Sequence, residues 1–438
     1  MDTLVSKLNS LVGLLTKKEV SIRILVDVVR NKVLFVQAGK DFVDVLLSFL
    51  TLPLGTIARL VRQESNINNL SIGSISLLYE SVSILEKDRF ISDLDKELLV
   101  HPINSMFQYC RYLKLNVDDT EKVRWFRCTN LDCGGKISRR RNCKCISKKR
   151  YKLCEGVLPP DKGFVPETAT FIISDDLSVK PDDSQSTVSL PKYLGCEDVD
   201  TIKIVTINVT HKKILDLVKC SLLSTTPLTD VFLSNKLNLQ NAKPISSMDL
   251  DVSKFTAKLV RKTIQVKAMV RKSNNKILYA LGEEDFADLV LSFLTFPLGA
   301  VENMLNGNSD IDGIDNLYKS MLDLVPGRYL RSNDLVQKLD QSNFGRKIFT
   351  KSPSTYMVTD DLVVSPGSST SAISFLTELQ IPFSDLEEKV ISIGNKQGLN
   401  LLKASLISSS ALTDGLGPFI ETKNTEKIIS KLITPFMI

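Results

Sequence analysis

The chain has 438 residues, 43% of them hydrophobic, and a net charge of +6, which is room for roughly two or three domains with ordinary cores. No run reaches the eighteen or so apolar residues of a membrane span, since the best candidate, Phe42 to Leu54, is broken by Asp44. The opening MDTLVSKLNSLVGLLTKKEV carries Asp2 and Lys7, where a secretory signal needs a basic start and an uninterrupted apolar stretch.

That opening reads instead as an amphipathic helix, with Leu4, Leu8, Leu11 and Leu15 at helical spacing. Ser21 to Val29 and Lys32 to Gln37 follow as a β-hairpin turning at Arg30-Asn31. Next comes a helix with Asp41 as its expected N-cap and Phe42, Val45, Leu46, Phe49 and Leu50 on one face. Pro53 ends it, because proline lacks the helical N–H, and a second helix runs through Ile57, Leu60 and Val61.

Five of the eight cysteines then crowd into one short stretch: Cys128, Cys133, Cys143, Cys145 and Cys154. Clustered cysteines without a secretory signal favour metal over disulfides. The pattern Cys128-x4-Cys133-x9-Cys143-x-Cys145, with Cys133 followed by two glycines, suits a structural zinc held by four thiolates. Cys154 is an alternative ligand. The flanks VRWFRC and KISRR read as short strands, giving a zinc-ribbon-like insertion at about 110–160. Unliganded or redox-active thiols are the competing reading. No histidine lies within the cysteine cluster, which argues against a catalytic zinc with an open position.

The same stretch holds nine positive charges and no acid from Lys136 to Lys152. Taking those nine from the net +6 leaves the rest of the chain at −3, so one segment is basic and the protein is not. Arg139, Arg140, Arg141, Lys148, Lys149 and Arg150 are candidate contacts to nucleic-acid phosphates or to a partner. A solvated loop and a nuclear localisation signal compete with that reading.

Further on, Phe171 to Ser174 and Ser178 to Lys180 read as strands around an Asp175-Asp176 turn. Ser184 to Ser189 is a short polar linker, and Ile202 to Val209 is a strand. Thr210 is the expected N-cap of a helix carrying Ile214, Leu215, Leu217, Val218 and Leu222. Cys220 lies in that helix as a core residue, while Cys110 and Cys196 stand alone. Residues 235–253 form a linker to the second half of the chain. Thr263 to Val270 and Lys276 to Ala280 make another hairpin, and Lys389 to Ile393 is a strand before a helix from Asn395 to Ile407.

The strongest feature is a duplication. DFVDVLLSFLTLPLG (41–55) and DFADLVLSFLTFPLG (285–299) agree at eleven of fifteen positions, at an offset of 244. TFIISDDLSVKP (170–181) matches TYMVTDDLVVSP (355–366), and KCSLLSTTPLTD (219–230) matches KASLISSSALTD (403–414). The order is the same in both halves, so the expectation is two tandem copies of one hairpin-plus-helix unit, at 1–234 and 254–438. Mixed hairpins and helices without regular βαβ alternation make the fold class α+β. The stretch from Phe42 to Asp175 is far longer than its counterpart from Phe286 to Asp360, and the cysteines and basic run lie in that excess. The second half contains no cysteine.

The hairpin-plus-helix string KVLFVQAGKDFVDVLLSFLTLPLG, the repeated FLTFPLG, the cysteine insertion and the SDDLSVKP block together resemble the plant-specific family catalogued as domain of unknown function 674. The resemblance runs from about Val20 to Phe419. It implies a plant source and a cysteine-rich stretch whose ligand positions fall on Cys128, Cys133, Cys143 and Cys145. It brings no activity, substrate or catalytic residue.

No Walker motif, G-x-G-x-x-G or G-x-S-x-G string is present, and the only histidines are His101 and His211. The leading expectation is therefore a non-enzymatic interaction or scaffold protein with a structural zinc and an unidentified protein partner. It would be cytoplasmic, or nuclear if the basic run is an address. The alternatives are a nucleic-acid-binding protein using the basic insertion, and an enzyme with a cleft between the copies.

Overall fold

The computed structural model describes residues 19–63, 71–118, 125–128, 137–138, 151–154, 163–183, 201–233, 259–260, 262–333, 336–337, 348–352 and 354–420. The expected N-terminal helix, both linkers, Cys196 and most of the basic run lie outside them.

The first hairpin forms as β1 (Val20–Asp27) and β2 (Lys32–Gly39). β1 stops short of the expected Val29. Asp27 Oδ1 accepts the backbone N–H of Val29 and of Arg30, at 3.0 and 2.9 Å, and pulls both into the turn. Helix α1 (Lys40–Phe49) follows at once. Its N-cap is Gly39, without a side-chain bond, and Asp41 falls in the first turn. The expectation of Asp41 as cap is therefore corrected. Its carboxylate pairs with Lys114 at 3.5 Å instead. α2 (Leu54–Gln63) starts just after Pro53.

α3 (Ile75–Ile84), α4 (Asp93–Val100) and the single turn α5 (Phe107–Cys110) lead to three short strands, β3 (Trp125–Cys128), β4 (Ile137–Ser138) and β5 (Tyr151–Cys154). β6 (Thr170–Ser174), β7 (Val179–Pro181) and β8 (Ile202–Val209) come next, then α6 (His211–Leu223) and α7 (Pro227–Phe232). Thr210 caps α6 as expected, its side chain accepting the N–H of Lys213.

The C-terminal half runs β9 (Ile264–Arg271), β10 (Ile277–Gly282), α8 (Glu284–Ser292), α9 (Leu298–Met304), α10 (Asp312–Asp323), β11 (Tyr356–Thr359) and β12 (Val364–Pro366). It continues with α11 (Ser369–Glu378), β13 (Leu386–Ile393) and α12 (Asn395–Ile407), and a further helical stretch covers 411–420.

The architecture is mixed α+β, with two five-stranded antiparallel sheets ordered β7-β6-β2-β1-β8 and β12-β11-β10-β9-β13. Corresponding strands occupy corresponding places. Both hairpins carry a register shift, one at Leu25/Val26 opposite Phe35 and Val33, the other between Ile277 and Tyr279. α11 covers the outer face of the second sheet, where Ala372 and Leu376 pack on Leu278, Tyr279 and Met357.

The two halves meet along the string that repeats best. Pro53 and Pro297 form an antiparallel bridge. Leu54 N donates to Phe296 O and Leu298 N donates to Leu52 O, both at 2.9 Å. Pro53 and Pro297 are equivalent positions of the duplication, as are Leu54 and Leu298, so the contact reads the same from either half. Gly55 sits close to the other half, where an added Cβ would lie 3.0 Å from the Leu294 carbonyl oxygen. One hydrophobic cluster runs continuously through both halves.

A second pair of contacts crosses between halves. α3 packs against β12, and α10 packs against β7. Ser81 Oγ in α3 accepts the Val364 N–H at 3.2 Å. Ser320 Oγ in α10 accepts the Val179 N–H at 2.9 Å. β7 and β12 are edge strands whose outer N–H groups need a partner when buried, and each half supplies it to the other. Ser81→Ala and Ser320→Ala are each expected to cost about 1–2 kcal/mol, because each strands a buried donor, read as a shift in urea midpoint.

Candidate metal centre and interaction surfaces

Antiparallel pairing orders the strands of the insertion as β4-β3-β5, with cysteines on β3 and β5. Cys128 lies opposite Tyr151, and Trp125 lies opposite Cys154. Cys128 and Cys154 thus occupy opposite ends of the ladder, three register steps or about 10 Å apart along the strands. Cys133, Cys143 and Cys145 lie outside the described residues, as do Arg139, Arg140, Arg141, Lys148, Lys149 and Arg150. Among the described residues no group of three or more His, Cys, Asp or Glu side chains could hold a metal.

The two other described cysteines are buried. Burial pushes the thiols of Cys110 and Cys220 up to about 12, so neither supplies a thiolate at neutral pH. Cys110 packs against Thr51 Oγ1 at 3.4 Å. That makes both thiols core residues, as expected for Cys220.

The repeated acids are engaged with backbone. Asp44 in α1 accepts the N–H groups of Phe164 and Val165, at 2.7 and 2.9 Å. Its partner position, Asp288 in α8, accepts those of Phe349 and Thr350, both at 3.0 Å. Burial holds both carboxyl groups above their usual range, against the opposing pull of these bonds and, at Asp44, of Lys40. Asp175 takes the backbone N–H and hydroxyl of Thr229, at 2.8 and 2.7 Å. Thr229 in turn accepts Val33 N–H at 2.9 Å. Asp360, Thr413 and Ile277 repeat this chain of contacts. Leu177 and Leu362, which follow those acids at the same spacing, both hold a left-handed φ, 63° and 65°. Asp175-Asp176 is thus a tight turn as expected, with the first carboxylate tying it to α7.

A surface cleft of about 490 Å³ opens at the start of α6, lined among others by Arg111, Lys114, His211 and Lys212, with Glu19 as its acid. That volume falls within the roughly 300–1,000 Å³ of small-molecule sites. His211 Nε2 lies 3.1 Å from the Asn116 carbonyl. The Arg111 guanidinium lies over the Tyr112 ring, 4.5 Å from its centroid. Sequence reasoning did not single out these cations, because residues 111–116 and 210–212 are distant in the chain.

The chain matches the family described as "Protein of unknown function (DUF674)" over residues 16–348 and 330–396. It belongs to that family. No curated protein matches the DUF674 chain, and no solved structure does. Among its described residues no helix is long and apolar enough to cross a membrane.

Proposed function

We propose that this DUF674 protein is a non-enzymatic interaction scaffold. It consists of two copies of one α+β unit, locked by exchanged helices, with the cysteine-rich insertion carried as a zinc-fixed module on the first. The observation that carries this reading is the use of the duplicated polar residues. Asp44 and Asp288, Asp175 and Asp360, and Ser81 and Ser320 are each occupied with backbone N–H groups. What the two copies hold in common is thus accounted for by structure. What sets the first copy apart is the insertion.

The spacing Cys128-x4-Cys133-x9-Cys143-x-Cys145 supports those four as the ligand set, and register argues only against Cys128 and Cys154 sharing one ion. Thiolates on one zinc each lie about 2.3 Å from it, and a Cys154 three steps from Cys128 is too far along the ladder to join it. A structural zinc would organise a segment too poor in apolar residues to fold alone. The test is metal content of protein purified under reducing conditions, measured by mass spectrometry. One zinc per chain is expected, lost in Cys143→Ser, Cys145→Ser and retained in Cys154→Ser. A metal-free parent would overturn the module.

A second reading, nucleic-acid binding through the insertion, draws support from the cleft. Arg111, Lys114 and Lys212 line that cleft and add a second group of cations to the nine at 136–152. The expected outcome is a single-stranded oligonucleotide affinity that falls steeply as salt rises from about 50 to about 200 mM, as counterion release requires. Arg139→Ala, Arg140→Ala, Arg141→Ala should weaken it uniformly across sequences. Salt-independent binding, or none, would leave a protein partner as the reading.

A further inference from the structure

Glu302 in α9 is fully buried, and among the described residues neither of its carboxyl oxygens has a partner in hydrogen-bonding geometry. Its polar neighbours are the carboxyl group of Asp315, in the first turn of α10, and the hydroxyl of Ser309. Asp315 Oδ1 already accepts both the N–H and the hydroxyl of Ser309, at 2.9 and 2.7 Å. The other charged group of α10 acting on Glu302 is Lys319. In the loop before α10, Asp310 is held by Lys403 of α12 at 2.8 Å. The position equivalent to Glu302 in the first half is Ala58, so that half lacks this group.

A carboxyl group buried without a hydrogen-bond donor, and beside a second acid, is favoured in its neutral form, since burial outweighs the opposing pull of Lys319. Two carboxyls and a hydroxyl fall short of the six to eight oxygens a calcium ion takes. The species that suits the site is a proton.

We propose that Glu302 is held protonated at this buried site, and that loss of its proton loosens α10 from the first sheet, making Glu302 a pH-sensitive latch between the two halves. The mechanical link is short. α10 carries Asp315 at its start and, one turn and a half later, Ser320, which holds Val179 N–H. Asn316, next to Asp315, donates to Asp176 O at 3.1 Å. Ionising Glu302 sets two like charges between α9 and α10, and hydrating them requires α10 to move away. That movement breaks the contacts of Ser320 and Asn316 with β7 and its turn.

Burial, ahead of the repulsion from Asp315, raises the folded-state pKa of Glu302 well above its ordinary 4.5. For an acid raised in the folded state, its stabilising contribution is complete below the unfolded value. It is lost as pH climbs from there toward the folded value.

The experiment compares the full chain with Glu302→Gln across pH 5 to 8, by thermal unfolding and by amide exchange at Val179 corrected for intrinsic rates. One proton over a chain of this length corresponds to roughly one to two degrees of Tm per pH unit. The parent is expected to lose that much more than the variant on alkalinisation. Val179 protection should fall with rising pH in the parent and hold in Glu302→Gln. Should glutamine not be tolerated, Glu302→Ala, the residue at position 58, serves the same comparison. Equal pH slopes, or equal loss of Val179 protection in parent and variant, would overturn the latch.

Discussion

Gly73→Ala is expected to destabilise the protein by roughly 2–6 kcal/mol, or to leave it insoluble, because two independent costs add. Gly73 has φ +42°, a conformation that side chains resist, at about 1–3 kcal/mol. An added Cβ would also sit 2.5 Å from the Ser405 carbonyl oxygen and 2.6 Å from the Leu406 carbonyl carbon. That is backbone of α12, which no rotamer change relieves, and overpacking adds about 1–3 kcal/mol. The chain cannot retreat, because Ser74 N–H bonds to Ser405 O at 2.9 Å and Ser74 Oγ to Ser408 O at 2.7 Å. Gly39→Ala is the control. It has no described atom within 4 Å of the new methyl and no positive φ, so its loss should be limited to the weaker N-cap, about 0.5–1 kcal/mol in denaturant midpoint. A Gly73→Ala protein with the parent's midpoint would mean that the start of α3 does not lie against α12.

Gly73 matters because it introduces an exchanged helix, and the exchange was not legible in the sequence. The duplicated blocks were, because their identities are dense: eleven of fifteen positions around Pro53 and Pro297. α3 and α10 match only sparsely, through Ile75 and Ile314, Leu78 and Leu317, Tyr79 and Tyr318, Ser81 and Ser320, and Leu85 and Leu324, at an offset of 239. Those are mostly core positions that any amphipathic helix would show. Nothing in such a pattern says whether the helix covers its own sheet or its neighbour's.

Strand and helix bounds agree where local signals are strong. Ile202 to Val209 alternates apolar and polar residues, Thr210 caps, and both bounds match. They slip at Asp27 and Asp41. There, a short acidic side chain has a choice between turn, cap and ion pair that tertiary neighbours decide. The proposed metal centre rests on cysteine spacing alone. Register adds one fact to it, the separation of Cys128 from Cys154. Glu302 was invisible, since a lone glutamate in a helix reads as solvated until its neighbours are known.

Asp288→Ala is the other substitution with a large expected effect, about 2–6 kcal/mol from two stranded donors. Asp288 Oδ1 accepts three bonds: Phe349 N–H, Thr350 N–H and, at 2.9 Å, the Thr350 hydroxyl. Phe349 and Thr350 are fully buried, so alanine leaves two backbone donors without acceptors, at about 1–3 kcal/mol each. Those residues also lead into a contact between halves, since Ile91 N–H donates to Phe349 O at 2.9 Å. Losing the anchor in α8 therefore loosens the seam as well as the strand. Asp288→Asn keeps an acceptor oxygen and should cost clearly less than alanine. Its pH behaviour supplies the sharper check. Burial raises the folded-state pKa of Asp288 above its ordinary 3.8, so its stabilising contribution is complete below that value and declines as pH rises through the folded one. Asparagine, which does not titrate, should narrow its deficit against the parent as pH rises from about 3.5 upward in urea titrations. A deficit that instead widened over that range would mean the carboxylate is the favoured form, with the bonds to Phe349 and Thr350 outweighing burial.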